Sequence, residues 1–372
     1  MAPITITQWT GWAMLLWLSL VSSLLYWMVT LLKGPKSSPR ISPKDSSVDS
    51  EPKAYPSVEA LPEFEWQQKE PLKIRPFRPK YNLTMSIEET TVNGLIEMDK
   101  TYVDRIHLRR KIMNEHTDTV LAAEDSVKSA VDEFYCWLLG SFLPTRFPRM
   151  FVLQHINKEG FLHNLVMDEK LPLSPAEKPL ETLERLGGLV DDDFLFLLPS
   201  DDGDGYTLKG FVTCFPNGFN TFKKLNLKLK DIHKPVPQYK ERLEKSMDRY
   251  FTRLPIGKFV KRANWAITTT DELFTPSGTH IYEGEKVLQE EIDISSTRLR
   301  CERQVLHRLP QSRALLFSFK TLTYTLAEIK EEGLGKDLAE AIDGLKEGNA
   351  PDFHFYKRAA VWGESVKAFL TS

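Results

Sequence analysis

CFPNGFNTFKKLNLKLKDIHKPVPQYKERLEKSMDRYFTRLPIGKFVKRANW, running from Cys214 to Trp265, is the stretch on which the reading of the fold turns. Leu225, Leu227 and Leu229 alternate with polar residues and predict a strand leading to His233. Pro235 and Pro237 fix their own φ and push Lys234 and Val236 toward extended backbone, so His233 sits on a stiff corner. After it, Val236, Tyr239, Leu243, Met247, Tyr250 and Leu254 recur at three- and four-residue intervals and predict an amphipathic helix. Lys240, Glu241, Glu244, Lys245 and Asp248 take its polar face, with Glu241 and Lys245 an i,i+4 pair. A histidine pinned before such a helix can be aimed into the core the helix covers, where it could serve as a metal or haem ligand. Spacing alone leaves open a histidine bonded to backbone in a tight corner.

Working outward, the chain has 372 residues, a net charge of -2 and three cysteines. That balance gives no basic footprint for nucleic acid. Cys136, Cys214 and Cys301 lie far apart, which suggests neither a disulfide framework nor a zinc or iron–sulfur site. Residues 4–32 contain no charged residue, and a helix over them would be about 43 Å long, enough to cross a bilayer. Lys33, Lys36, Arg40 and Lys44 all follow that span. The expectation is a single transmembrane anchor over residues 1–33, in the endoplasmic reticulum membrane, with the bulk of the chain in the cytosol. Residues 34–70, rich in Pro, Ser, Lys and Glu, read as a solvated tether. The sequon Asn82-Leu83-Thr84 is then expected to be unmodified.

The folded domain is expected over residues 71–372. IEMDKTYVDRIHLRRKIMNEH predicts a helix with Ile96, Tyr102, Ile106 and Ile112 inward, and VKSAVDEFYCWLLGSFL predicts a second that is buried on Val127, Val131, Phe134, Leu138 and Phe142. A β-rich centre follows: Phe194 to Leu198, the turn Asp201 to Gly205, Tyr206 to Phe215, Asn264 to Thr268, Arg298 to Val305 and Ala314 to Leu322. If Arg298 to Val305 is extended, Arg300, Glu302 and Gln304 share one face while Cys301, Arg303 and Val305 share the other. Helices close the chain. Helices, then an antiparallel-looking sheet, then helices indicate an α+β fold.

Several segments together resemble the haem-dependent oxidative N-demethylase α-subunit-like family. They are RPFRP at Arg75 to Pro79, CFP at Cys214 to Pro216, IHKPVP around His233, Arg262-Ala263-Asn264-Trp265, RCERQVLHRLPQSRALLFSFKT from Arg300, and Tyr356-Lys357. The resemblance covers roughly Pro71 to Lys357. It implies a PAS-like antiparallel sheet with flanking helices that binds haem b and uses O₂ to oxidise an N-methyl amine or a related small molecule, secondary metabolites included. Cys301 and the anchor are departures from the family pattern.

On this reading His233 is the iron ligand, with the thiols of Cys214 and Cys301 as rivals. Arg300, Arg303 and Trp265 are expected at the cofactor, and Arg262, Glu302 and Gln304 at the reacting centre. The guanidinium groups would clamp haem carboxylates or orient oxygen and substrate; an internal ion-pair network is the competing structural role. His280 and the remaining histidines show no paired metal spacing and are expected in surface or structural roles. No flavin, nicotinamide or iron–sulfur motif is present, so electrons would come from a separate reductase. Two other functions fit the layout. One is a PAS-type haem or small-molecule sensor without catalysis. The other is a lumenal glycosyltransferase with Asp191 and Asp193 holding a metal–nucleotide.

Overall fold

The computed structural model describes residues 54–372. The apolar span, the charges after it and most of the tether lie outside the described residues. Among the described residues no helix is long and apolar enough to cross a membrane. Residues 54–70, assigned above to the tether, are part of the body. Tyr55 stacks on Trp137 at 3.7 Å, Leu61 donates its N–H to the Arg146 carbonyl, and Val58, Leu61, Phe64 and Trp66 lie against the core. Aromatic and aliphatic residues spaced through a Pro/Glu-rich stretch are enough to anchor it.

The fold is mixed α+β, with two antiparallel sheets and flanking helices. The strands in chain order are β1 (Glu88–Thr90), β2 (Leu121–Ala123), β3 (Phe151–Ile156), β4 (Glu159–Asn164), β5 (Glu169–Pro172), β6 (Asp193–Pro199), β7 (Tyr206–Val212), β8 (Phe259–Thr268), β9 (Arg298–Arg308) and β10 (Leu315–Thr325). Seven of them form one sheet in the order β1-β8-β9-β10-β6-β7-β2, and β3-β4-β5 form a second. The long strands carry β-branched and aromatic residues that suit a pleated surface. In β9 the registers Glu302↔Asn264, Gln304↔Arg262 and Arg300↔Ala266 confirm that Arg300, Glu302, Gln304 and Arg262 share a face. Cys301 and Arg303 take the other.

The helix Tyr102–Glu115 buries Tyr102, Ile106 and Ile112, as its spacing requires, but also Arg109. The second helix, Lys128–Trp137, continues through a π-helical turn, Leu138–Phe142. Pro144 just beyond cannot donate to the carbonyl four residues back, a local cause for the widening. Near the C-terminus, Thr325 and Glu328 form a reciprocal cap on the helix Leu326–Glu331. The helices Gly335–Asp343 and Ala359–Thr371 then pack on the outer core.

Two predicted elements differ. The run to His233 is a pair of short helical turns, Phe222–Lys224 and Leu229–Ile232. Asn226 lies between them at φ 63°, which ends any extended run. The helix after His233 begins at Tyr239, behind Gln238 at φ 60°, and is interrupted at Leu243 to give Tyr239–Arg242 and Glu244–Arg253.

Arg109 is fully buried. It bonds the Asp193 carboxylate at 2.7 Å and donates to the Gly187 and Asp192 carbonyls. The same carboxylate accepts the N–H groups of Cys214 and Phe215 at 2.7 and 3.0 Å. Replacing Arg109 with Met would leave a buried charge unpaired and is expected to cost about 3–5 kcal/mol. The shift in the urea unfolding midpoint measures this, and a loss comparable to that of a surface substitution would refute it.

Candidate functional site

Arg300 builds the site from beneath. Its guanidinium donates to the carbonyls of Phe215 and Pro216 and, on the other side, to Leu273 and Thr275. The turn after β7 is thereby joined to the segment after β8. Asn217 bridges Thr275, and Gly218 at φ 75° is pressed so closely on Thr279 and His280 that any Cβ would collide with them. Phe219 then carries the Lys224 ammonium 4.4 Å from its ring centroid.

Above this base gathers a group of mutually influencing titratable side chains, called the cleft from here on. Tyr81, Lys224, His233, Arg262, His280 and Tyr356 are each partly accessible. Yet burial is the largest influence on the ionisation of every one. Glu302 lies among them, held by Gln304 Nε2 at 2.9 Å. Lys224, Arg262, Tyr356 and Lys357 are its electrostatic neighbours or share them. Lys357 is buried at the open edge of β8, beyond the reach of β1, where its ammonium takes the Trp265 carbonyl and Asn264 Oδ1.

The electrostatics are unbalanced. Among the described residues no carboxylate lies within ion-pair distance of Lys224, Arg262 or Lys357, and Arg262 Nε is buried without a partner. Desolvation pushes Lys224 and Lys357 down to about 8, and it lowers Arg262 from the usual guanidinium range. Unpaired buried cations are costly unless an anion is to join them.

His233 is fixed by two contacts. Its Nδ1 lies 2.8 Å from the Leu229 carbonyl, and its ring stacks on Tyr239 at 4.9 Å. A carbonyl only accepts, so Nδ1 carries the proton and Nε2 presents a lone pair. Burial holds the ring near pKa 4, hence neutral at pH 7.

The chain matches the model of the haem-dependent oxidative N-demethylase, alpha subunit-like family over residues 86–367. It belongs to that family. The matched span includes every site residue named from the sequence.

A haem offers an iron that takes an imidazole nitrogen and two carboxylates that take cations. The residues present fit it: a neutral histidine with a bare Nε2, and three unpaired cations in one cleft. The placement of the other expected residues is more divided. Arg262, Glu302 and Gln304 line the cleft with His233. Arg300 shares their face, but four of its donors are committed to backbone and Thr275, so it holds the floor of the site together. Arg303 lies on the opposite face, latched to the Gly94 and Leu95 carbonyls. Trp265 shares the Cys301 face and packs in the outer core. Burial pushes the Cys214 and Cys301 thiols up to about 12, far from thiolate.

Asp191 and Asp193 are likewise engaged in the core. Lys320 contacts Asp191 and Asp99 at 3.1 Å each, and Asp193 belongs to Arg109. That arrangement corrects the metal–nucleotide reading of these carboxylates. Among the described residues no cluster of three or more His, Cys, Asp or Glu could hold a metal. A groove of about 560 Å³ beside Tyr55, Glu133, Cys136 and Trp137 is lined by none of the cleft residues.

Tyr81, Lys224, Lys357 and His280 were not singled out from the sequence as site residues. Tyr81 and Lys224 carry no local signal. Tyr356-Lys357 stood only as a motif match, and His280 has no partner at metal spacing.

Burial also lowers His280 and His307 to about 3. Their folded pKa lies below the unfolded value, so between about pH 6.5 and 3 the unfolded chain binds the extra protons. Stability is therefore full above pH 6.5 and falls as the pH drops, by about 1.4 kcal/mol per pH unit for each ring. Urea unfolding of the haem-free chain at pH 6.5 and 5 should show this, with a shallower slope in His307→Leu; an unchanged slope would refute it.

Proposed function

We propose that this chain is a haem b oxidoreductase that uses O₂ to dealkylate or otherwise oxidise a small amine, with electrons supplied by a separate reductase. The observation that carries the reading is His233, neutral, with Nδ1 committed to the Leu229 carbonyl and Nε2 bare in a cleft that holds unpaired cations. His233 holds the iron through Nε2. Arg262, Lys224 and Lys357 set their charges against the two haem carboxylates. When bound, the haem supplies oxygen activation and electron transfer.

The protein's own part is to hold, orient and exclude water. Gln304 fixes the Glu302 carboxylate, which is placed to hold the substrate nitrogen and take up a proton from it. Tyr81 and Tyr356, kept as neutral phenols by burial, wall the cleft with apolar rings and offer hydroxyl donors. The antiparallel sheet among helices supports a PAS-like description of the body. The uncharged span over residues 4–32, with its basic residues all following it, supports a single-pass anchor at the endoplasmic reticulum with the body in the cytosol.

Absorption spectra of the full-length chain and its His233→Ala variant, each supplemented with haem, test the proposal. The wild type should show a Soret band that the variant loses or shifts. A colourless folded wild type would remove the haem reading, and an unchanged variant spectrum would remove His233 as ligand. Haem dimethyl ester, which lacks the two negative charges, should bind roughly tenfold or more weakly, about 1.4 kcal/mol per tenfold. Equal binding of the two would mean that the unpaired cations serve another anion.

A further inference from the structure

β3 is an open edge of the second sheet, because the order β3-β4-β5 gives it a neighbour on one side only. The Leu165 N–H bonds the Met150 carbonyl, which extends the β3–β4 ladder one pair beyond Phe151↔Asn164. Antiparallel pairs alternate between bonded and non-bonded. Val152, Gln154 and Ile156 therefore exchange bonds with β4, while Phe151, Leu153 and His155 turn their backbone groups outward. The hairpin loop agrees: Asn157 and Lys158, at φ 50° and 70°, form a two-residue turn closed by Ile156 and Glu159. The Phe151 N–H is taken by the Phe147 carbonyl. Among the described residues nothing accepts from the N–H of Leu153 or His155.

Exposed edges are ordinarily blunted by charge, proline or a bulge. β5, at the other end of this sheet, has Glu169, Lys170 and Pro172. β3 has none of these: FVLQHI contains no Asp, Glu, Lys, Arg or Pro, and its ladder runs without a register shift. Four of the eight large apolar side chains that stand exposed among the described residues gather here, Val152, Leu153 and Ile156 on β3 and Leu165 just past β4. Val152 and Ile156 share one face, and Leu153 takes the other. A lipid surface would cover these side chains but leave the edge N–H groups without acceptors. A second strand supplies both. A strand free of charge can pair with its own copy, because no like charges are set against each other. The nearest cation before it, Arg149, is already paired with Glu63 and Glu65.

We propose that two copies of this chain pair antiparallel along β3 about a two-fold axis at Gln154, joining the two three-stranded sheets into one. In that register the open N–H groups of Leu153 and His155 meet the carbonyls of His155 and Leu153 in the second copy. Val152 lies opposite Ile156 of the second copy on both sides of the axis, and Lys158 falls opposite Met150 rather than another cation. The pair is closed, since the strands at its two ends are the blunted β5 edges.

The test is sedimentation of the full-length chain in dodecyl maltoside over a range of protein concentrations, with hydrogen exchange of its amides. The wild type should carry the protein mass of two copies, and Val152→Lys should weaken association roughly tenfold or more, about 1.4 kcal/mol per tenfold. Adding Ile156→Glu to Val152→Lys should restore it, because the two new charges lie opposite each other across the axis. Leu288→Lys, on an exposed loop away from the edge, should change nothing. The amides of Leu153 and His155 should be protected in the wild type and lose that protection in Val152→Lys. A single-copy mass at every concentration overturns the proposal, and so does a dimer that Val152→Lys leaves intact. Protection that arises only when phosphatidylcholine vesicles are added assigns the edge to lipid and also overturns it. If Val152→Lys does not fold, Gln154→Cys in a Cys136→Ala background decides. Residues facing each other across the axis have Cα atoms about 4.5 Å apart, within disulfide reach. Mild oxidation should therefore link two copies, and the absence of that link overturns the pairing.

Discussion

The turn at Cys214 to Pro216 is held between two buried arginines, and the cleft depends on that grip. Arg109 acts through Asp193, whose two carboxylate oxygens take the Cys214 and Phe215 N–H groups. Arg300 acts directly on the Phe215 and Pro216 carbonyls. One arginine comes from a helix in the first quarter of the folded body and the other from a central strand. The turn cannot shift without stranding a charge, a carbonyl or an N–H in the core, and each of those costs kilocalories. With the turn fixed, Gly218 is set against His280, and Phe219 is set beneath Lys224.

The sheet supplies the second constraint. Polar side chains on consecutive positions of β9 need partners on both faces, and each face finds different ones. Arg303 turns to the carbonyls of Gly94 and Leu95, while Glu302 and Gln304 turn into the cleft with Arg262. Structural charge is thereby separated from the charge left unpaired. In the structural set Arg109 is matched with Asp193, and Lys320 with Asp99 and Asp191, while the Asp192 carboxylate is buried beside them without a hydrogen-bond partner. The cleft cations Lys224, Arg262 and Lys357 have Glu302 as their shared acidic neighbour but no carboxylate at ion-pair distance, which leaves room for an anion to join them. His233 has one nitrogen committed to a backbone carbonyl and the other left bare.

The main elements and the family were legible in the sequence because they rest on local pattern. The stripe of Ile106 and Ile112 has helical period, the run from Leu315 to Thr325 has strand composition, and the alternation through Arg300, Glu302 and Gln304 fixes their common face. The corner at His233 was legible for the same reason, since two prolines constrain the backbone wherever they occur. The misreadings share a cause as well. Leu225 to Leu229 alternates like a strand, but Asn226 adopts a left-handed conformation that no periodicity announces. Residues 54–70 have the composition of a tether, yet a few aromatic and aliphatic side chains find sites on the core.

By itself, then, the sequence determined the α+β class, the family and which residues of β8 and β9 face together, because helical and strand periods are properties of neighbours along the chain. Only the tertiary structure decided which arginines are structural, that Trp265 and Arg303 turn away from the cleft, and that Tyr81, Lys224, His280 and Lys357 enter it. Those residues come from four segments spread over nearly three hundred positions, and whether a charge is matched depends on what lies across the fold. Burial and the orientation of a distant carbonyl set both the charge balance and the tautomers, and neither is encoded at the residue that feels them.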